Sequence, residues 1–167
     1  REVLDFLRTL DDSERTIWID KLIEHLNVEE REEIQDFMLT WEEIKIMHQN
    51  GISVGSHTVT HPILSRLTID RAKEEISESR KIIEKKLGIT VKAFAYPSGR
   101  REDFDGATKD LLREAGYKCA LTMIFGTNEN GQDLFELRRG TPWEDDLATF
   151  AMKLYWYKFI SSEMGKT

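Results

Sequence analysis

Apolar positions recur along this chain with two different periods, and the period separates helices from strands. Val3, Leu4, Leu7 and Leu10 fall at helical spacing, and DDSERTIWIDKLIEHL then opens on acidic residues suited to capping a second helix. Further on, TWEEIKIMHQNG carries Thr40 and Glu43 in a T-x-x-E capping box and closes on Gly51. Residues 52–54, ISV, read as a short buried strand. From Thr68 to Leu87 the positions Ile69, Ala72, Ile76, Ile83 and Leu87 form one stripe, ended by Gly88, which predicts a long amphipathic helix. VKAFAY, residues 91–96, is strand-like and stops at Pro97 and Gly99. A helix through ATKDLLREAG, a strand in YKCALTM, a turn-rich loop FGTNENGQD and a short strand around FELRR follow. The last helix is expected from about Asp145 to Phe159. Alternating helix and strand is the order of an α/β chain with a parallel sheet or barrel. The length suits one domain over 1–167, with a helical segment at 1–39 and a barrel core at 40–160.

Composition narrows the function without naming it. A net charge of −7 argues against a nucleic-acid or anionic-membrane surface, because both require clustered Lys and Arg. The acidic stretch NVEEREEIQD reads as a solvated helix face, and no apolar run reaches the length of a transmembrane helix. Cys119 is the single cysteine, so no internal disulfide can form, and its apolar surroundings predict a buried, inert thiol. The chain begins at Arg1 and shows no signal-like segment, which suggests a piece of a longer precursor. Its location, cell envelope or cytoplasm, is therefore left open.

The chemistry concentrates in ISVGSHTVTHPIL, where His57 and His61 stand four residues apart. On a helix that spacing would place both rings on one face. Pro62 directly after His61 disfavours helix there, and Gly55 with ISV on the other side disfavours it further. The pair therefore belongs to a loop leaving the C-terminal end of a strand, the edge where α/β sheets bind ligands. Neutral imidazoles suit zinc, and a catalytic zinc commonly takes three protein ligands plus water, so a carboxylate is needed as the third. The plainer alternative is two loop histidines satisfied by ordinary hydrogen bonds. Asp11 and Asp12 are adjacent carboxylates, but their helical context suits an N-cap pair better. His25 and His48 fall on amphipathic helices and read as surface residues.

Taken together, SHTVTHP and AFAYPSGR resemble the polysaccharide deacetylase family, carbohydrate esterase family 4, over about Thr40 to Phe159. The resemblance implies an incomplete, distorted β/α barrel. It also implies a hydrolase acting on carbon–nitrogen bonds other than peptide bonds, removing acetyl groups from a polysaccharide or amino sugar. His57 and His61 match the H-S/T-x-x-H motif, and so would be ligands of a divalent metal, most often zinc. Tyr96, Pro97 and Ser98 match the next motif, with the backbone N–H near Ser98 a candidate oxyanion donor and Tyr96 a wall of the groove. The plainer view of Tyr96 and Pro97 is a strand terminator packed in the core.

Several features depart from the family. Its T-F-D-D motif, source of the base and the third ligand, has only a superficial echo in TLDD at 9–12. Ala95 stands where many members have arginine, Ser98 where many have tyrosine, and no histidine follows His61 to serve as the late general acid. Arg138 or Arg139 could restore the positive charge. The first strand is thus expected to lie outside this chain. On its own the chain should then be inactive, with an unpaired sheet edge that favours homo-oligomers. A non-catalytic carbohydrate-binding or scaffolding relative is the competing reading. In the terminal helix, Phe150, Leu154 and Tyr157 form a stripe, with Trp143, Tyr155 and Trp156 beside it. Those aromatics suit either core packing or stacking against sugar rings.

Overall fold

The computed structural model describes residues 2–10, 12–27, 38–140 and 146–164. Helices α1 (Glu2–Thr9) and α2 (Asp12–His25) lead the chain and touch through Phe6 and Trp18, whose rings meet edge to face at 5.4 Å. Helix α3 (Trp41–Gln49) starts where the capping box places it. The Thr40 hydroxyl accepts from the Glu43 N–H at 3.2 Å, while the Glu43 carboxylate accepts from the Thr40 N–H at 2.7 Å.

Helix α4 (Ile69–Leu87) is capped by Thr68 and closed by Gly88 in the left-handed conformation, φ +69°. Its buried face is Ala72, Glu75, Ile76, Ser79 and Leu87, whereas Ile69, expected in the apolar stripe, is largely exposed. Two polar residues, Glu75 and Ser79, therefore sit where the stripe alone predicts only apolar ones.

Strands β1 (Ala93–Ala95), β2 (Cys119–Phe125) and β3 (Leu137–Arg139) form a parallel sheet in that order, a partial sheet of the incomplete β/α-barrel type. Helix α5 (Gly106–Glu114) makes the crossover from β1 to β2 and packs with α4. Ala93 is paired with Cys119 and Ala95 with Leu121. Phe94 at the centre of β1 is fully buried, with Tyr96 and Tyr117 edge-on to it at 5.7 and 5.3 Å. Around these rings Ile76, Val91, Leu112 and Ala120 complete a dry core.

Two expectations are corrected. Residues 52–54 form no strand and are not buried: Ile52 is 48% exposed, and the only pairing is an isolated parallel bridge from Ser56 to Phe94. Among the described residues, 52–54 make no ladder bond, and pairing with β1 begins only at Ser56. Cys119, expected to be buried, is half-buried at the start of β2. Helix α6 (Leu147–Met164) runs longer than its pattern suggested, and Tyr157 anchors it by meeting Phe125 edge-on at 4.7 Å. Tyr155 and Trp156 face outward, and Trp143 lies outside the described residues. No described helix is long and apolar enough to cross a membrane.

The α5 cap gives a pH-dependent test. The Thr108 N–H and then the Thr108 hydroxyl donate to Asp105 at 2.8 and 2.7 Å and hold its carboxyl below the usual 3.8. A depressed carboxyl contributes stability that is complete above its ordinary value and disappears as pH falls through the folded one. Asp105→Ala should cost about 1 kcal/mol near neutrality. In urea unfolding followed from pH 7 to pH 2, the gap between variant and parent should close at the acid end.

Candidate active site

The site is built at the C-terminal end of β1, where the chain turns sharply. Tyr96 is still tied to the sheet, its N–H donating to the Leu121 carbonyl at 3.0 Å. Pro97 is buried, and the backbone then enters left-handed space at Ser98 (φ +58°) and Gly99 (φ +65°). The Gly99 carbonyl accepts from the Met123 N–H at 2.7 Å, which fastens this turn to β2. A Cβ at Gly99 would lie 2.8 Å from that same Met123 nitrogen, so no other residue fits without displacing the turn.

Residues 56–62 lie alongside. Ser56 exchanges backbone hydrogen bonds with β1, donating to the Ala93 carbonyl at 3.0 Å and accepting from the Ala95 N–H at 2.8 Å. Its buried hydroxyl meets that of Ser79 on α4 at 2.6 Å. His57 follows, and its Nδ1 lies 2.7 Å from the Ala95 carbonyl. A carbonyl only accepts, so the proton resides on Nδ1 and the Nε2 lone pair of the neutral ring is free. Thr58 (φ +67°) and His61 (φ +61°) are both left-handed, which is costly for residues with a Cβ. The Thr58 hydroxyl accepts from the His61 N–H at 3.1 Å and closes the loop on itself. The two imidazoles end 4.7 Å apart, at 80° to one another, on an exposed surface.

The loop between them rests on a residue that the sequence reading passed over. Glu75, 1% exposed on α4, accepts from the Val59 N–H at 2.7 Å, the Thr60 N–H at 3.0 Å and the Thr60 hydroxyl at 2.8 Å. Arg71 completes its shell at 2.9 Å. Burial pushes the Glu75 carboxyl up, but the hydrogen bonds from Thr60 and Val59 and the charge of Arg71 outweigh it and leave the group below its usual range. The available signal was a glutamate interrupting the apolar stripe of a helix.

The remaining candidates divide. Ser98 is exposed in the turn that follows β1, and its N–H meets no acceptor among the described residues. Tyr96 does not line a groove: it is 1% exposed, stacks on Phe104 at 4.3 Å and donates its hydroxyl to the Phe135 carbonyl at 2.9 Å. Arg139 donates through Nε to the Thr122 carbonyl at 2.7 Å and through a terminal nitrogen to the Met123 sulfur. Arg138 instead lines a cleft with Arg101, Ile124, Gln132 and Glu136. Neither arginine contacts either histidine. Asp11 lies outside the described residues, and Asp12 opens α2. His25 is an exposed last-turn residue, and the His48 Nδ1 lies 3.1 Å from the Ile52 carbonyl. Among the described residues no three His, Cys, Asp or Glu side chains group closely enough to hold a metal. The two imidazoles are nitrogen donors of the kind a divalent metal takes, and the described residues bring no third donor beside them.

The sequence profile described as Polysaccharide deacetylase matches residues 2–120, spanning both histidines and the Pro97 turn. The chain belongs to the polysaccharide deacetylase family. The match takes in α1 and α2 as well, so it begins well before the Thr40 start of the motif resemblance. A Bacillus subtilis protein, YxkH, named as a polysaccharide deacetylase, is 31% identical over 101 residues, 60% of this chain and 35% of its own length. The structure of the Streptococcus pyogenes deacetylase PplD in complex with acetate superposes with a TM-score of 0.58 at 31% identity. That match covers 64% of this chain and 46% of PplD. A Bacillus cereus polysaccharide deacetylase gives a TM-score of 0.54 at 32% identity over 63% of this chain and 33% of its own. This deacetylase-family chain thus spans about a third to a half of these three relatives.

The tight Gly99 turn is open to direct test. Gly99→Ala combines a positive φ with a clash against the β2 backbone and should lower stability by about 1–3 kcal/mol in urea unfolding.

Proposed function

We propose that this chain supplies the two-histidine portion of a metal-dependent deacetylase site that hydrolyses acetyl groups from a polysaccharide or amino sugar. The observation that carries the reading is the His57 ring. Its Nδ1–H is committed to the Ala95 carbonyl, which leaves the Nε2 lone pair open to a metal, with the His61 ring 4.7 Å away. A divalent ion held by these nitrogens, zinc by their chemistry, would supply Lewis-acid polarisation of the acetyl carbonyl and a more acidic water. Around it, the chain's own residues orient the reactants. The N–H of Ser98, an exposed residue, would donate to an oxygen that gains charge, a contact that contributes about 3–4 kcal/mol in well-studied hydrolases. The buried Pro97 and the Gly99 anchor keep that donor fixed. Acetate, the ligand in the PplD structure, is the product such a reaction would release.

A carboxylate ligand, a general base and a general acid are still required. The reading puts them in the part of such a protein that this chain, which covers 35% of YxkH and 46% of PplD, does not span. The isolated chain should therefore bind metal weakly and turn over poorly. Its 52–55 edge, paired with nothing on the outer side among the described residues, favours self-association. A non-catalytic carbohydrate-binding relative is the second reading, favoured by Ala95 and by the lack of a three-donor group among the described residues.

Zinc calorimetry separates these readings. The chain should bind one zinc weakly, and the His57→Ala, His61→Ala double variant should lose that binding. Acetate release from an N-acetylated amino-sugar oligomer should stay near background for this chain. Equal zinc binding by chain and double variant would remove the metal reading.

A further inference from the structure

We infer that Glu75 is a positioning residue for the histidine pair: its carboxylate, presented from α4, sets the backbone between His57 and His61 and so fixes how their rings converge. The inference deepens the metal-site reading and rests on it for its effect on zinc. Its structural part stands on contacts that involve no metal.

The arrangement is unusual for a helix carboxylate. Glu74, one residue earlier, is exposed and pairs with Arg71 at 2.6 Å, as helix-surface ion pairs commonly do. Glu75 also pairs with Arg71, yet it is buried, and desolvating a carboxylate costs several kcal/mol unless its lone pairs are filled. Three of the donors that fill them come from two consecutive residues of one loop, Val59 and Thr60. One oxygen receives both backbone N–H groups, and the other receives the Thr60 hydroxyl and the arginine. A single anion thus gathers successive amides into a concave turn, the geometry that backbone N–H groups form around negative charge.

The residues flanking that turn are the ones with costly backbones. Thr58 precedes Val59 at φ +67°, and His61 follows Thr60 at φ +61°. Each left-handed residue is unfavourable by about 1–2 kcal/mol, so the loop needs an external constraint to hold both. The Thr58–His61 hydrogen bond closes the loop internally but does not orient it against the sheet. Orientation comes from two attachments to α4, Ser56 on Ser79 and residues 59–60 on Glu75. His57 is held by Ala95 directly. His61 has no comparable ring anchor among the described contacts, so its place relative to His57 depends on the segment Glu75 holds.

The test compares Glu75→Leu and Glu75→Gln with the parent chain. Glutamine can retain much of the pattern, its carbonyl accepting from both amides and its amide donating to the Thr60 hydroxyl. Leucine cannot. In the metal-free proteins, histidine ring and amide NMR signals should move in Glu75→Leu and return towards the parent in Glu75→Gln. Zinc affinity by calorimetry should fall about 10–100-fold in Glu75→Leu, with most of it recovered in Glu75→Gln. Amide exchange on the parent chain gives a check that needs no variant: Val59 and Thr60 should be protected. Unprotected Val59 and Thr60 amides would overturn the inference, and so would a folded Glu75→Leu with unchanged histidine signals and zinc affinity. If the parent binds no zinc but Glu75→Leu still shifts the histidine signals, the metal reading fails and the positioning role stands.

Discussion

The histidine loop joins the rest of the structure through Ser56. Its backbone makes two hydrogen bonds to β1, one on each side of Phe94, and its hydroxyl bonds Ser79 across to α4. One residue therefore joins the histidine loop, the sheet and the longest described helix. The bridge has little redundancy, because residues 52–55 add no further ladder. What compensates is the core beneath it, where Phe94 is sealed by two tyrosines whose hydroxyls reach the backbone at Phe135 and Ile76. Buried polar tips with partners cost little, and they fix which way each ring lies.

On that base, the site combines an economical scaffold with locally expensive backbone. Three of the four non-glycine residues with positive φ among those described, Thr58, His61 and Ser98, fall at the two motifs. Strain of this kind persists only where surrounding contacts over-determine the conformation. Here those contacts are the Glu75 carboxylate on one side and the Gly99 tie to β2 on the other. The result is a pair of turns at the same end of β1, one carrying the imidazoles and one carrying Ser98, whose N–H has no acceptor among the described residues.

What could be read from the sequence was what local chemistry decides. The Thr40–Glu43 box, the Thr68 and Gly88 limits of α4 and the stop at Pro97 all depend on neighbours within a few residues. The histidine pair was legible for the same reason, since Pro62 excluded a helix. Long-range partners were not. The tautomer of His57 is set by Ala95, and the inward turn of Tyr96 by Phe135, both nearly forty residues away, and by Phe104 across the turn. Residues 52–54 look like a strand because their pattern is apolar, but a strand also needs a ladder of backbone hydrogen bonds to a neighbour, and pattern does not reveal that the pairing here begins only at Ser56. Glu75 was hidden by the habit of reading a charged residue in a helix as solvated.

The parallel sheet also dictates the order in which this fold can assemble. No two paired strands here are joined by a tight turn: β1 reaches β2 through α5, and β2 reaches β3 through the long 126–136 loop. Such pairings cannot nucleate as hairpins, and the entropy of closing each connection is spent before any ladder bond forms. The capped helices α4 and α5, by contrast, are stabilised within their own turns and by each other. Assembly therefore runs from helices to sheet. The histidine loop, which needs both α4 and a formed β1, is among the last parts of the molecule to find its place.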